Sequence, residues 1–228
     1  MDTIADRVTA LRERIATLEN RYGRPGGAVT LVAVAKTHGA ARVREAHAAG
    51  LSQFGESYVQ EAVPKIESLA DLPLTWHFVG RIQSNKTASI AQHFAWVHGI
   101  DRLRIAERLD AQRPAGLPPL DCCIEVNLSG EASKGGVAPR ELPELAGAIA
   151  ALPRLRLRGL MTLPEPAAGF ERQRQPFARL ARCLAELQPL VPGLDTLSMG
   201  MSDDMDAAIA EGATIVRIGT ALFGPRES

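Results

Sequence analysis

The chain has 228 residues, 46% of them hydrophobic, with 26 Lys plus Arg against 26 Asp plus Glu. That length and apolar share suit one sizeable core. Balanced charge supplies no global field toward nucleic acid or an anionic membrane surface, which leaves small molecules or proteins as the expected partners.

The cysteines, Cys122, Cys123 and Cys183, are odd in number and two are adjacent. Neither a disulfide framework nor a C-x-x-C site has that spacing, and a reducing cytoplasm is the expected compartment. The first residues, Met1 to Arg7, are charged from the start and do not form a basic leader followed by an apolar stretch. No later run approaches the roughly 20 apolar residues of a membrane span. A soluble, unexported protein is therefore expected.

Ile4, Val8, Leu11, Ile15 and Leu18 fall three or four apart and predict an amphipathic helix over 3–22, broken at Gly23 to Gly27 with Pro25. Val29 to Ala35 is almost continuously apolar, as a strand buried on both faces reads. Helices then alternate with strands: a helix at 40–49 closed by Gly50, a strand at 53–55, a helix at 57–70 and a strand at 75–79. Further strands are predicted at 96–100, 120–127, 157–161, 196–199 and 214–218, with helices at 84–94, 101–112, 139–151, 170–188 and 203–211. Eight strands in strict alternation with helices predict an α/β protein, a (β/α)8 TIM-type barrel. Residues 1–228 form a single domain in this reading, with the helix of 1–24 packing on the barrel. A doubly wound open sheet is the alternative, but its G-x-G-x-x-G fingerprint is missing after the first strand.

Lys36 follows the first apolar strand directly, at the strand end that forms the active-site face of a barrel. A partly desolvated lysine there yields the neutral amine that attacks an aldehyde. From position alone, a lysine that snorkels to solvent fits as well. Barrels often hold phosphate on the loops after strands seven and eight. After the seventh come Gly200, which permits a sharp turn, and Ser202, placed to meet an anion or to cap the next helix. Asp203 and Asp204 would oppose a phosphate unless they point away. After the eighth, Gly219 and Thr220 offer unhindered amides and a hydroxyl, and Arg217 is a charge inside an apolar strand that needs an acceptor. A lysine for an aldehyde, an arginine for a ring atom and two loops for a phosphate together match pyridoxal 5′-phosphate.

Five segments carry a resemblance to a known family: Leu31 to Thr37, Phe54 to Glu61, Trp76 to Gly80, Gln83 to Lys86 and Gly200 to Met205. In them the chain, from about residue 30 onward, resembles the pyridoxal phosphate homeostasis protein family. The resemblance implies a barrel similar to the N-terminal domain of alanine racemase, with pyridoxal 5′-phosphate held as an internal aldimine on Lys36 and no established turnover. It further implies that Ser202, Gly219 and Thr220 hold the phosphate, that Arg217 faces the pyridine nitrogen, and that Met161 lies near the ring. Ser57 stands where the family usually has Asn, a shorter side chain beside the cofactor, and Arg81 stands where an apolar residue or proline is usual.

No histidine pair has zinc-site spacing, and Ser202 lacks the second glycine of a nucleophile elbow. His77 alternates with Trp76 and Phe78, which opens a reading in which it points into the barrel mouth; a satisfied core histidine is the simpler one. Residues 130–136, rich in glycine, form either a lid or a solvated turn on the rim. Racemization needs two bases on opposite faces of the substrate, the second usually from an added β-domain, and only a short tail ending in Phe223 to Ser228 follows the last strand. Arg217 beside the ring nitrogen would also weaken the ring as an electron sink. The expected function is a monomeric carrier without catalytic residues, which buffers pyridoxal 5′-phosphate or delivers it to apo-enzymes. The alternative is a low-efficiency amino-acid racemase using Tyr58, His77 or water as second base.

Overall fold

A computed structural model describes residues 2–129 and 135–224. Eight parallel strands close into a barrel in the order β1 to β8. They are β1 (Thr30–Val34), β2 (Gln53–Glu56), β3 (Thr75–Phe78), β4 (Trp96–Ile100), β5 (Leu120–Glu125), β6 (Leu155–Met161), β7 (Thr196–Ser198) and β8 (Ile215–Ile218). The helices are α1 (Ile4–Arg21), α2 (Ala40–Ala48), α3 (Val59–Ser68), α4 (Thr87–His93), α5 (Leu103–Gln112), α6 (Leu142–Ala150), α7 (Phe170–Leu187), α8 (Met205–Ala210) and α9 (Thr220–Phe223). The barrel expected from the sequence is thus the one formed, and the open sheet is not.

Each strand has two buried faces, which is why the strands read as apolar runs rather than as alternations. Phe54, Trp76 and Phe78 face outward into the layer beneath the helices, where Phe54 meets Trp76 and Phe78 meets Phe94 edge to face. Val32, Val34, Cys123, Met161 and Ile215 are buried apart from that layer and belong to the lumen. All three cysteines are free, and burial pushes the Cys123 thiol up to about 12. Among the described residues no helix is long and apolar enough to cross a membrane.

The N-terminal helix lies over the seam where the barrel closes, packing on α2, α8 and α9. Thr3 and Asp6 form a capping box at its start. Arg7 donates to the Leu222 carbonyl, Arg12 to that of Gly50, and the Tyr22 hydroxyl to Asp206 at 2.5 Å. Glu19 is the residue of α1 whose role the sequence did not disclose. Its carboxylate is 2% exposed and accepts the amides of Gly27 at 3.0 Å and Val29 at 2.8 Å, so a buried charge ties the helix to the start of β1. Glu19→Ala strands two amides and removes two charge-assisted bonds. It should lower the urea unfolding midpoint by an amount equivalent to about 2–3 kcal/mol, with an unchanged m-value.

Candidate functional site

Alternation along β1 sends Val32 and Val34 into the lumen, where their methyl groups pack over Gly55, and Lys36 follows as a half-buried side chain at the strand end. The backbone on both sides of Lys36 is held by α3. Lys65 donates to the Ala35 carbonyl at 2.8 Å and to Glu56 at 2.6 Å, and Glu61, one turn earlier, accepts the Thr37 amide at 3.1 Å. Thr37 itself sits at φ 67°, among the described residues the one non-glycine residue in the left-handed region. Glu56 is completely buried, and its second carboxylate oxygen has no partner. Burial pushes its carboxyl up in pKa, against the pull of Lys65.

Pairing of β1 with β8 sets Val32 opposite Arg217 and Ala33 opposite Ile218. The loop after β8 therefore lies beside the loop after β1. Lys36, Ser57, Ser202, Arg217, Gly219 and Thr220 all line one cavity of about 570 Å³, a size that takes a cofactor-sized ligand. Met161 does not line it; it is buried on β6, in register with Glu125 and Ser198. Among the described residues the amides of Ser202, Asp203, Thr220 and Ala221 find no backbone acceptor, which leaves donors on both loops.

Helix α8 starts later than expected, and its N-cap is Asp204, so Ser202 is not the capping residue. Asp204 accepts the Met201 amide at 2.6 Å, which commits it to its own loop, whereas Asp203 stays exposed on the cavity wall. Gly200 takes φ 96°, and a Cβ there would come within 2.6 Å of Ala208. Gly80 has a similar duty: a Cβ would lie 2.8 Å from the Ser57 Cα, so its absence lets the β2–α3 loop close down on β3. Arg81 is exposed. Residues 130–134 of the expected rim loop lie outside the described residues.

Arg217 is buried in the lumen, donating to Ser198 Oγ at 2.7 Å and to the Thr162 carbonyl at 3.0 Å. Burial lowers its pKa to about 10, which still leaves a full charge at neutral pH. Ser198 Oγ is also 2.7 Å from His98 Nδ1; His98 Nε2 is 2.9 Å from His77 Nδ1; and His77 Nε2 is 2.8 Å from Gln53 Oε1. His77 also stacks on Trp96 at 5.5 Å. Both ring nitrogens of His77 are committed and burial drives its pKa down to about 3, so it is the core histidine and not an acid or base facing the cavity. Tyr58 is 52% exposed and lies outside the cavity wall. Among the described residues no cluster could hold a metal ion.

The arrangement combines an amine, a fixed cation and two loops of free amides in one hollow. A flat aldehyde that carries an anionic phosphate at one end and a ring acceptor at the other fits these donors.

The family model described as alanine racemase, N-terminal domain, matches residues 7–227. The pyridoxal phosphate homeostasis protein of Pseudomonas aeruginosa is 61% identical over 227 residues, covering 100% of this chain and 97% of that protein. Its counterpart in Escherichia coli K12 is 52% identical over 230 residues, covering 100% and 98%. PipY of Synechococcus elongatus, solved with PLP bound, is 40% identical with a TM-score of 0.86 over 97% of this chain and 100% of that one. The alanine racemase of Corynebacterium glutamicum, 19% identical with a TM-score of 0.63, shares the fold; the match covers 94% of this chain and 60% of that one.

Burial depresses the pKa of both His77 and His98 below the ordinary 6.5, mainly by desolvation. The unfolded chain then binds more protons than the folded one, so the stability these groups contribute is present above pH 6.5 and lost as pH falls toward 3. Unfolding free energy should drop by roughly 1.4 kcal/mol per pH unit per histidine in that window. His77→Gln should flatten the slope, as chemical denaturation at stepped pH would read.

Proposed function

This chain belongs to the pyridoxal phosphate homeostasis protein family, and from that premise we propose that it binds pyridoxal 5′-phosphate covalently, as a Schiff base on Lys36, without turning over a substrate. The observation that carries the proposal is the β1–β8 register, which puts Lys36 beside Arg217, Gly219 and Thr220 in one cavity. In this reading the amides after β7 and β8, with the Ser202 and Thr220 hydroxyls, take the phosphate, and Arg217 donates to the ring nitrogen. Ser57 lines the same cavity, whereas Met161 is buried on β6 away from its wall and is not among the proposed contacts. When bound, the cofactor supplies an electrophilic carbon and an electron-withdrawing ring.

Two features support holding over catalysis. A fixed cation beside the ring nitrogen disfavours its protonation and so blunts the ring as an electron sink. The His77 ring is buried with both nitrogens engaged, which removes one second base that racemization could use. The names of the relatives point the same way: the protein buffers the cofactor and passes it to apo-enzymes that depend on it. The proposal extends to a monomer in a reducing cytoplasm, in keeping with its free, largely buried cysteines. A weak amino-acid racemase is the second reading, supported by the fold likeness to alanine racemase alone.

Purified protein should absorb as a protonated Schiff base, and borohydride should bleach it and leave a pyridoxyl group on the peptide containing Lys36. Lys36→Ala should lose both signals while it remains folded. An adduct elsewhere, or none, defeats the assignment. Deuterium exchange at Cα of free amino acids at enzymatic rates, abolished by Lys36→Ala, would establish the racemase instead.

A further inference from the structure

Most barrels fill the lumen with layers of branched apolar side chains. Here a continuous polar run crosses it, from Gln53 on β2 through His77 on β3, His98 on β4 and Ser198 on β7 to Arg217 on β8. His77 is 1% exposed, His98 and Ser198 are fully buried, and Arg217 is 5% exposed. Burying four polar groups, with a half-buried Gln53 at the end of the run, where Leu or Val would fit costs stability unless every donor meets an acceptor.

They meet in only one direction. A guanidinium has donors and no acceptor, so the bond to Ser198 Oγ at 2.7 Å runs from Arg217 to serine. Among the bonds of the described residues, His98 Nδ1 is the one other partner of that hydroxyl, so the Ser198 hydrogen goes there. His98 is then protonated on Nε2 and donates to His77 Nδ1 at 2.9 Å, and His77 donates from Nε2 to Gln53 Oε1 at 2.8 Å. Reversal would aim two donors at Ser198 Oγ and strand its hydrogen in a dry lumen, an unsatisfied buried group that costs about 1–3 kcal/mol.

We infer that Gln53, His77, His98 and Ser198 are positioning residues, forming a one-way hydrogen-bond relay that sets the Arg217 guanidinium toward the ring of the bound cofactor. The inference rests on the cofactor reading above for its ligand, and on this chain's own bonds for its direction. Ser198 and the Thr162 carbonyl take one donor each from the two terminal nitrogens of Arg217. The guanidinium plane is thereby fixed, and Arg217 lines the cavity. A free arginine would sweep through rotamers and lose that aim.

Two measurements test it. In the ligand-free protein, nitrogen NMR of labelled histidine should show His77 and His98 both neutral, with hydrogen on Nε2 and Nδ1 bare. Gln53→Glu, whose carboxylate can only accept, should keep those tautomers and hold pyridoxal 5′-phosphate affinity within about twofold. Gln53→Lys, which can only donate, opposes the direction of the run, and Ser198→Ala cuts it. Each should weaken the cofactor about tenfold and move its absorption maximum, with circular dichroism unchanged. Should Gln53→Lys fail to fold, Ser198→Ala carries the comparison. Hydrogen on Nδ1 of both histidines in the parent protein overturns the relay, as does parental affinity and absorbance in folded Ser198→Ala. Expected tautomers without any adduct on Lys36 would uphold the relay and defeat the cofactor reading.

Discussion

Everything at the mouth of this barrel depends on the ladder between β8 and β1. The two strands lie at opposite ends of the chain, and their pairing from Thr30 with Ile215 to Ala33 with Ile218 closes the sheet. Without closure, Lys36 and Arg217 would sit at opposite edges of an open sheet. The N-terminal helix lies across this seam and bonds to the elements around it, to the carbonyls of Leu222 and Gly50 and the carboxylate of Asp206. A helix that looks like an appendage in the sequence thus reinforces the junction on which the site is built.

The lumen trades packing energy for specificity. Leu and Val in place of His77 and His98 would bury more apolar surface at no cost in desolvation. The Glu56–Lys65 pair behind the β1–β2 edge makes a similar trade, since two charges enter a dry layer and one carboxylate oxygen stays without a partner. In both places the polar groups converge on a residue of the cavity, Arg217 in one case and the backbone ahead of Lys36 in the other. In these two places buried polarity serves aim more than stability.

The sequence disclosed the fold well, because strands buried on both faces leave apolar runs such as Leu31 to Ala35 that local pattern can detect. It disclosed the turn at Gly200 for the same reason: a glycine's freedom is a local property. It misplaced the start of α8: Ser202 and Asp204 are equally good caps by residue type, and the helix begins after Asp204, whose side chain accepts the Met201 amide of its own loop and makes no capping bond. It missed the relay altogether. His98 and Ser198 stand 100 residues apart, and no local periodicity marks a pair that meets only through closure. Glu19, Glu56 and Lys65 read as ordinary helix or strand-end charges until burial is known.

The clamp that α3 places around Lys36 has a consequence for loading and unloading. With the Ala35 carbonyl held by Lys65 and the Thr37 amide by Glu61, the main chain at that point is set by bonds of the protein's own. The four-carbon arm of the lysine is then the part left to swing. In the proposed Schiff base, loading releases water as the C=N bond forms and unloading takes water back to break it, and neither step needs a strand rebuilt. Tight capture calls for a pocket that closes; a store that must give back what it takes is better served by a stiff wall and one loose hook.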